Sequence, residues 1–202
     1  MKLFKNSFSS KSSENTIGKE LFSALYESNK KKVIELIETN NIDINSYSDF
    51  SNPSSILIQS LHCQSQYQDS KEQIDIVKYL IDNDADINWL NNDGFNALHI
   101  SLVYHNLSKT SLILIKSNKV DINTSDKKNG NNPIFTAIRE YGKTWREEQK
   151  ELNQLRFEII EELLKRGADM DMMNNHGITS RRWVEISKDE KLHSLINKYS
   201  QK

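Results

Sequence analysis

The chain has 202 residues, with 27 Lys and Arg against 28 Asp and Glu, so its net charge is −1, and its mean hydropathy is −0.69. That balance excludes a general nucleic-acid coat, which needs a basic excess, and no run of about 18 apolar residues is present to span a membrane. Hydrophobic residues make up 36%, a modest share for one round core but enough for the thin spine of a solenoid.

Residues 1–17 are rich in Ser, Lys and Asn and hold no apolar h-region of a secretory signal. They read as a disordered polar leader. From Lys19 the pattern turns helical: Leu21, Phe22, Ala24 and Leu25 carry one short helix, Ser28-Asn29 breaks it, and Val33, Leu36 and Ile37 carry a second. Asp43-Ile44-Asn45 follows in extended form. Asn52-Pro53 is expected to start the next helix, with Asn as cap and Pro in the first turn. Ile56, Leu57, Ile58 and Leu61 fill that helix, and a polar run from Gln64 leads to its partner.

The partner, Ile74 to Asn88, is the best-formed element. Ile74, Val77, Leu80 and Ile81 make one apolar stripe, Asp84 stops the helix, and Ala85-Asp86-Ile87-Asn88 leaves in extended form. A second copy runs from Phe157 to Asp171, with Gly167 in the slot of Asp84, where a left-handed C-cap is needed. Between them, Asp93-Gly94 makes a turn, Asn96-Ala97-Leu98-His99 opens a helix, Leu112 to Ile115 belongs to its partner, and Asp121-Ile122-Asn123 closes the unit. Gly130-Asn131-Asn132-Pro133 opens a fourth pair and His176-Gly177-Ile178-Thr179 a last one. The closers at Asp43, Asp86, Asp121 and Asp169 recur with a period near 33 residues, once about 11 extra residues around Gln64 to Glu72 and about 14 around Gly142 to Gln154 are set aside. The second part of the later addition extends the following helix backwards.

These residues resemble the ankyrin repeat, a hairpin turn followed by two antiparallel helices. The family's G-x-T-P-L-H opening is matched by Gly94-Phe95-Asn96-Ala97-Leu98-His99, by Gly130-Asn131-Asn132-Pro133-Ile134-Phe135, and by Gly177-Ile178-Thr179-Ser180. Its G-A-D-V-N close is matched by Asp84-Ala85-Asp86-Ile87-Asn88 and Gly167-Ala168-Asp169-Met170-Asp171. The resemblance implies an all-α solenoid of about five helix-turn-helix units over 18–202, divided near 18–48, 49–91, 92–126, 127–174 and 175–202, with inter-helix inserts in the second and fourth. It departs from the pattern in a polar second helix at Ser108 to Ser111, and in Arg181 and Arg182, which suit a solvated outer face on the last unit.

No reactive constellation is visible. The histidines His62, His99, His105, His176 and His193 show no zinc spacing, no phosphate loop or nucleophile elbow is present, and His99 matches a structural position of the repeat. Cys63 is the only cysteine, so no internal disulfide forms, which fits a reducing, cytoplasmic setting. No enzyme activity, cofactor, metal, nucleic acid or membrane partner is expected. By the resemblance, hairpin tips face a protein partner; here these are Tyr47, Phe50, Trp89, Asn91, Asn92, Lys127, Lys128, Met173, Asn174 and His176, joined by Trp145 and Arg146 of the second insert. For Trp89, packing between hairpins is the competing role. The overall pattern looks like a bacterial immunity protein that covers a cognate toxin; the alternative is a scaffold or effector that binds a cellular or host protein without inhibiting an enzyme.

Overall fold

Several helices start at a short polar residue, and several run into a left-handed residue past their last turn. The computed structural model describes residues 12–48 and 53–200. It divides into two compact units, Met1–Asn92 and Asp93–Lys202. In the first, α1 (Ser12–Tyr26) packs on α2 (Lys30–Thr39) and α3 (Ile56–Leu61) on α4 (Lys71–Asp82). The pairs stack, α1 on α3 and α2 on α4. Lys30 of α2 is 3.2 Å from Asp75 of α4. In the second unit the pairs are α5 (Ala97–Val103) with α6 (Ser108–Lys116), α7 (Pro133–Tyr141) with α8 (Lys150–Lys165), and α9 (Ser180–Glu185) with α10 (Glu190–Ser200). They stack through α5 on α7, α7 on α9, α6 on α8 and α8 on α10. Among the described residues the only strand pairing is antiparallel, β1 (Tyr47–Ser48) with β2 (Ser54–Ser55).

The N-caps follow residue chemistry. The side chains of Asn29, Ser70, Asn96, Asn132 and Thr179 each accept a backbone N–H of the first turn, and Pro133 takes the first helical position, where no N–H is needed. The expected Asn52-Pro53 start does not occur. Asn52 lies outside the described residues, Pro53 is not helical, and Ser55 caps α3 by accepting from Ile58 N at 3.3 Å. Three helix ends share one geometry. Asn41, Asp84 and Gly167 have positive φ (50°, 61° and 82°), and the next residue donates back across the last turn: Ile42 to Ile37, Ala85 to Leu80 and Ala168 to Leu163. This is the Schellman arrangement, which satisfies carbonyls the helix leaves open.

Four closers make the same local turn. The carboxylates of Asp43, Asp86, Asp121 and Asp169 accept from the backbone N–H two residues on, at 2.8–3.0 Å. The following Asn then ties one repeat to the next. In the first unit Asn45 donates to Asp84 O at 3.1 Å and accepts from Asp86 N. In the second, Asn123 donates to Gly167 O at 3.4 Å and accepts from Asp169 N at 2.8 Å.

Helix boundaries differ from the sequence pattern in two places, and the expected backward extension of α8 is present. α1 begins at Ser12, inside the stretch read as a leader, while residues 1–11 lie outside the described residues. α4 begins at Lys71 because Ser70 caps it, so the connection from α3 spans 62–70. α8 begins at Lys150 and carries seven residues ahead of Phe157, leaving 142–149 as the connection from α7. The extra turns of α8 bring Arg156 into the core, fully buried, with its guanidinium donating to Leu102 O. α6, packed against α8, buries Ser108, Thr110 and Ser111. Ser111 Oγ lies 2.9 Å from Ser101 Oγ. The polar residues of α6 therefore belong to a hydrogen-bonded core layer and do not weaken the helix.

Candidate functional site

Two edges of the second unit carry the exposed chemistry. At the hairpin edge, the loops before α5, α7 and α9 are bonded in sequence. Lys127 N donates to Asp93 O at 3.0 Å, and Asn175 N donates to Asn129 O at 2.8 Å. Asn175 Nδ2 also donates to Lys127 O and Lys128 O. Asp126 is buried and its carboxylate accepts from Asn129 N and Asn131 N, which closes the hairpin onto Gly130 at φ 69°. A Cβ on Gly130 would stand 2.5 Å from Asn175 Oδ1, so only glycine fits the turn and the close approach.

This ladder sorts the expected tip residues. Lys127, Lys128, Met173 and His176 are exposed, Met173 by 70%. Asn174 is buried: its Oδ1 accepts from His176 N and Ile178 N, and its Nδ2 donates to Asn131 Oδ1 at 3.0 Å. Its amide is spent on holding the hairpin. In the first unit Asn91 is also buried, Asn92 is exposed and Trp89 is half-buried. Tyr47 falls in β1, and Phe50 lies outside the described residues.

The opposite edge holds the turns after α5, α7 and α9. Thr144, buried, donates from Oγ1 to Tyr141 O at 2.7 Å. Asn153 of α8 donates from Nδ2 to Thr144 O at 2.9 Å and lies 3.1 Å from its hydroxyl. Fixed in this way, the turn projects Trp145, 78% exposed, with the Arg146 guanidinium 5.5 Å from its ring centre. Just before the turn, Glu140 is buried, 3.0 Å from Arg139 Nε and 2.8 Å from Lys143 Nζ. Burial pushes the Glu140 carboxyl up, but the Lys143 and Arg139 charges outweigh it and hold it below the usual range. Tyr141 donates to Asp189 at 2.8 Å; burial and that carboxylate push its hydroxyl up to about 12.

Sequence reading located Trp145 and Arg146 but missed what fixes them. Thr144 and Asn153 are unremarkable letters until α8 is extended backwards. The Glu140–Lys143 spacing, i to i+3 on a helix, was a readable signal.

Reactive chemistry is not assembled at either edge. Among the described residues no three His, Cys, Asp or Glu side chains could hold a metal ion. A shallow recess of about 560 Å³ beside α10 is lined by Ser187, Lys188, Glu190, His193, Ser194 and Asn197. In it His193 Nε2 lies against Ser187 O at 3.0 Å, engaged with backbone. Cys63 is buried, and burial pushes its thiol up, away from the reactive thiolate. His99 is buried inside the α5 cap, with Nδ1 2.8 Å from Asn96 Oδ1. No described helix is long and apolar enough to cross a membrane.

Stacked antiparallel helix pairs, tied hairpin to hairpin, define a helical repeat protein of the solenoid class. The family profile described as "Ankyrin repeats (3 copies)" matches residues 21–126 and, overlapping, 61–174. The chain belongs to the ankyrin-repeat family, whose members are generally protein–protein interaction modules. No curated protein matches it.

Proposed function

We propose that this chain is a non-catalytic array of about five ankyrin repeats acting in the cytoplasm, and that its partner is a bacterial toxin domain neutralised by steric cover. The observation that carries a binding role is Trp145. A large aromatic, 78% exposed, sits on a turn already fixed by Thr144 and Asn153. Such a side chain loses little conformational freedom on binding and offers roughly 200 Å² to a partner. Lys127, Lys128, Met173 and His176 add exposed contacts along the hairpin edge. The narrower toxin reading rests on likeness to small ankyrin immunity proteins with polar leaders and inter-helix additions. The net charge of −1 favours the second reading, a scaffold or effector, where the toxin would present a strongly basic face, since cover for such a face is commonly acidic.

The test is co-expression with the gene product encoded immediately upstream. Under the toxin reading that product stops growth alone, this chain restores growth, and Trp145→Ala or Trp89→Ala with folding intact lowers protection. If the neighbour is harmless, or protection survives both substitutions, the toxin role or the assigned face is respectively lost.

A further inference from the structure

Parallel helices α5, α7 and α9 start from equivalent caps, Asn96, Asn132 and Thr179, in hairpins bonded side by side. Phe135, third after its cap in α7, meets Trp183, fourth after its cap in α9, edge-on at 5.3 Å, so the two helices lie side by side. The seventh position after each cap is then Val103, Arg139 and Ile186. All six residues of α5 before Val103 are buried, yet Val103 is 44% exposed; in α7 Arg139 alone escapes full burial; Ile186 is 67% exposed. At a helix spacing of about 8–10 Å these three side chains make a row roughly 20 Å long.

Charge fixes what the row would accept. Arg139 gives Nε to Glu140, and its two terminal nitrogens have no partner among the described residues. Glu140 is already matched by Lys143, so the centre of the row holds one positive charge in excess. Tyr104 beside Val103, and Trp183 one turn before Ile186, are 44% and 40% exposed and widen the apolar ends.

We propose that the Val103–Arg139–Ile186 row docks an extended protein segment carrying one carboxylate between two apolar side chains. The carboxylate takes the terminal guanidinium nitrogens in a forked pair, and the apolar residues cover Val103 with Tyr104 and Ile186 with Trp183. This rests on the protein-binding reading above but not on the partner being a toxin.

The probe is a phage-displayed library of random peptides of about 12 residues, which exceeds the row at about 3.3 Å per extended residue. It is panned on the immobilised full chain. Enrichment of peptides with Asp or Glu flanked by apolar residues supports the row. For an enriched peptide, Arg139→Gln should weaken binding about tenfold or more, as should Ile186→Ser, an independent change at an exposed site; Lys31→Ala, at an exposed position of α2, should not. Replacing the peptide's Asp by Asn should cost affinity on the unaltered chain but little on Arg139→Gln. Enrichment of peptides lacking the carboxylate, or an Arg139→Gln chain of unchanged circular dichroism that binds equally well, overturns the row while leaving protein binding in place. Enrichment of nothing overturns the row and counts against the wider binding reading as well.

Discussion

The connections at 62–70 and 142–149 both hold a short 3-10 turn and both are tied to the body of their unit. In the first, Gln64 N donates to Tyr26 O, and Ser70 ends the loop by capping α4. In the second, Asn153 and Thr144 do the equivalent work. They differ in what is left facing solvent. The first exposes Ser65 and Gln66 and half-buries Tyr67; the second exposes Trp145 and Arg146. Extra length therefore does not mark a binding site, because a polar loop anchored at both ends is a neutral addition. A rigid loop that spends its hydrogen bonds to keep an indole in water is different, since the chain gains no burial from that indole.

The sharpest way to break the second region is at Arg156, which lies in the turns of α8 that follow the loop. Arg156→Ala empties a buried volume and strands Leu102 O, and should cost about 3 kcal/mol in urea unfolding, against almost nothing for Gln66→Ala in the first loop. Next come the joints. Asn45→Ala and Asn123→Ala each remove a two-way amide bridge and should cost about 2 kcal/mol, with faster hydrogen exchange confined to the altered unit. Asn153→Ala should cost about 1 kcal/mol and make Trp145 more accessible to iodide quenching.

Acid acts on the second unit through His99. Burial lowers its pKa against the opposing pull of the Thr124 backbone and Asp126, so the folded form prefers the neutral ring. The unfolded chain then binds the proton more readily. Stability from this group is complete above the ordinary value of 6.5 and is lost as pH falls below it towards the lowered folded value. Melting curves between about pH 8 and pH 5 should show that decline, and His99→Gln should flatten it. The smallest effect on stability belongs to Trp145→Ala, within about 0.5 kcal/mol, with the whole loss appearing in binding.

The features legible in the sequence are those one residue dictates locally. Asn96, Asn132 and Thr179 as caps, Asp84 and Gly167 as left-handed stops, and the four Asp closers follow from short-range backbone chemistry. What escaped reading depends on partners far along the chain. Arg156 looks like an exposed helix cation until it reaches Leu102 O, 54 positions earlier, and the seemingly weak Ser108–Ser111 stretch is buried, with Ser111 bonded to Ser101. Asn174 looks like a contact residue until Asn131, 43 positions earlier, accepts its amide. Ser70 was passed over as part of a polar run because the apolar stripe begins only at Ile74, one turn after the helix itself.

The amide at each joint has a directional requirement that a carboxylate fails. Asn123 offers N–H to Gly167 O with one end and oxygen to Asp169 N with the other. Slow hydrolysis of that side chain to aspartate would set an anionic oxygen against a carbonyl, converting a clasp into a repulsion. The chain shows what an acidic residue does in that slot, since Asp171, the next residue of the series, turns instead to Arg181 in a two-pronged ion pair at 2.6 and 2.9 Å. Chemical ageing of Asn45 or Asn123 would thus loosen each unit at its joint.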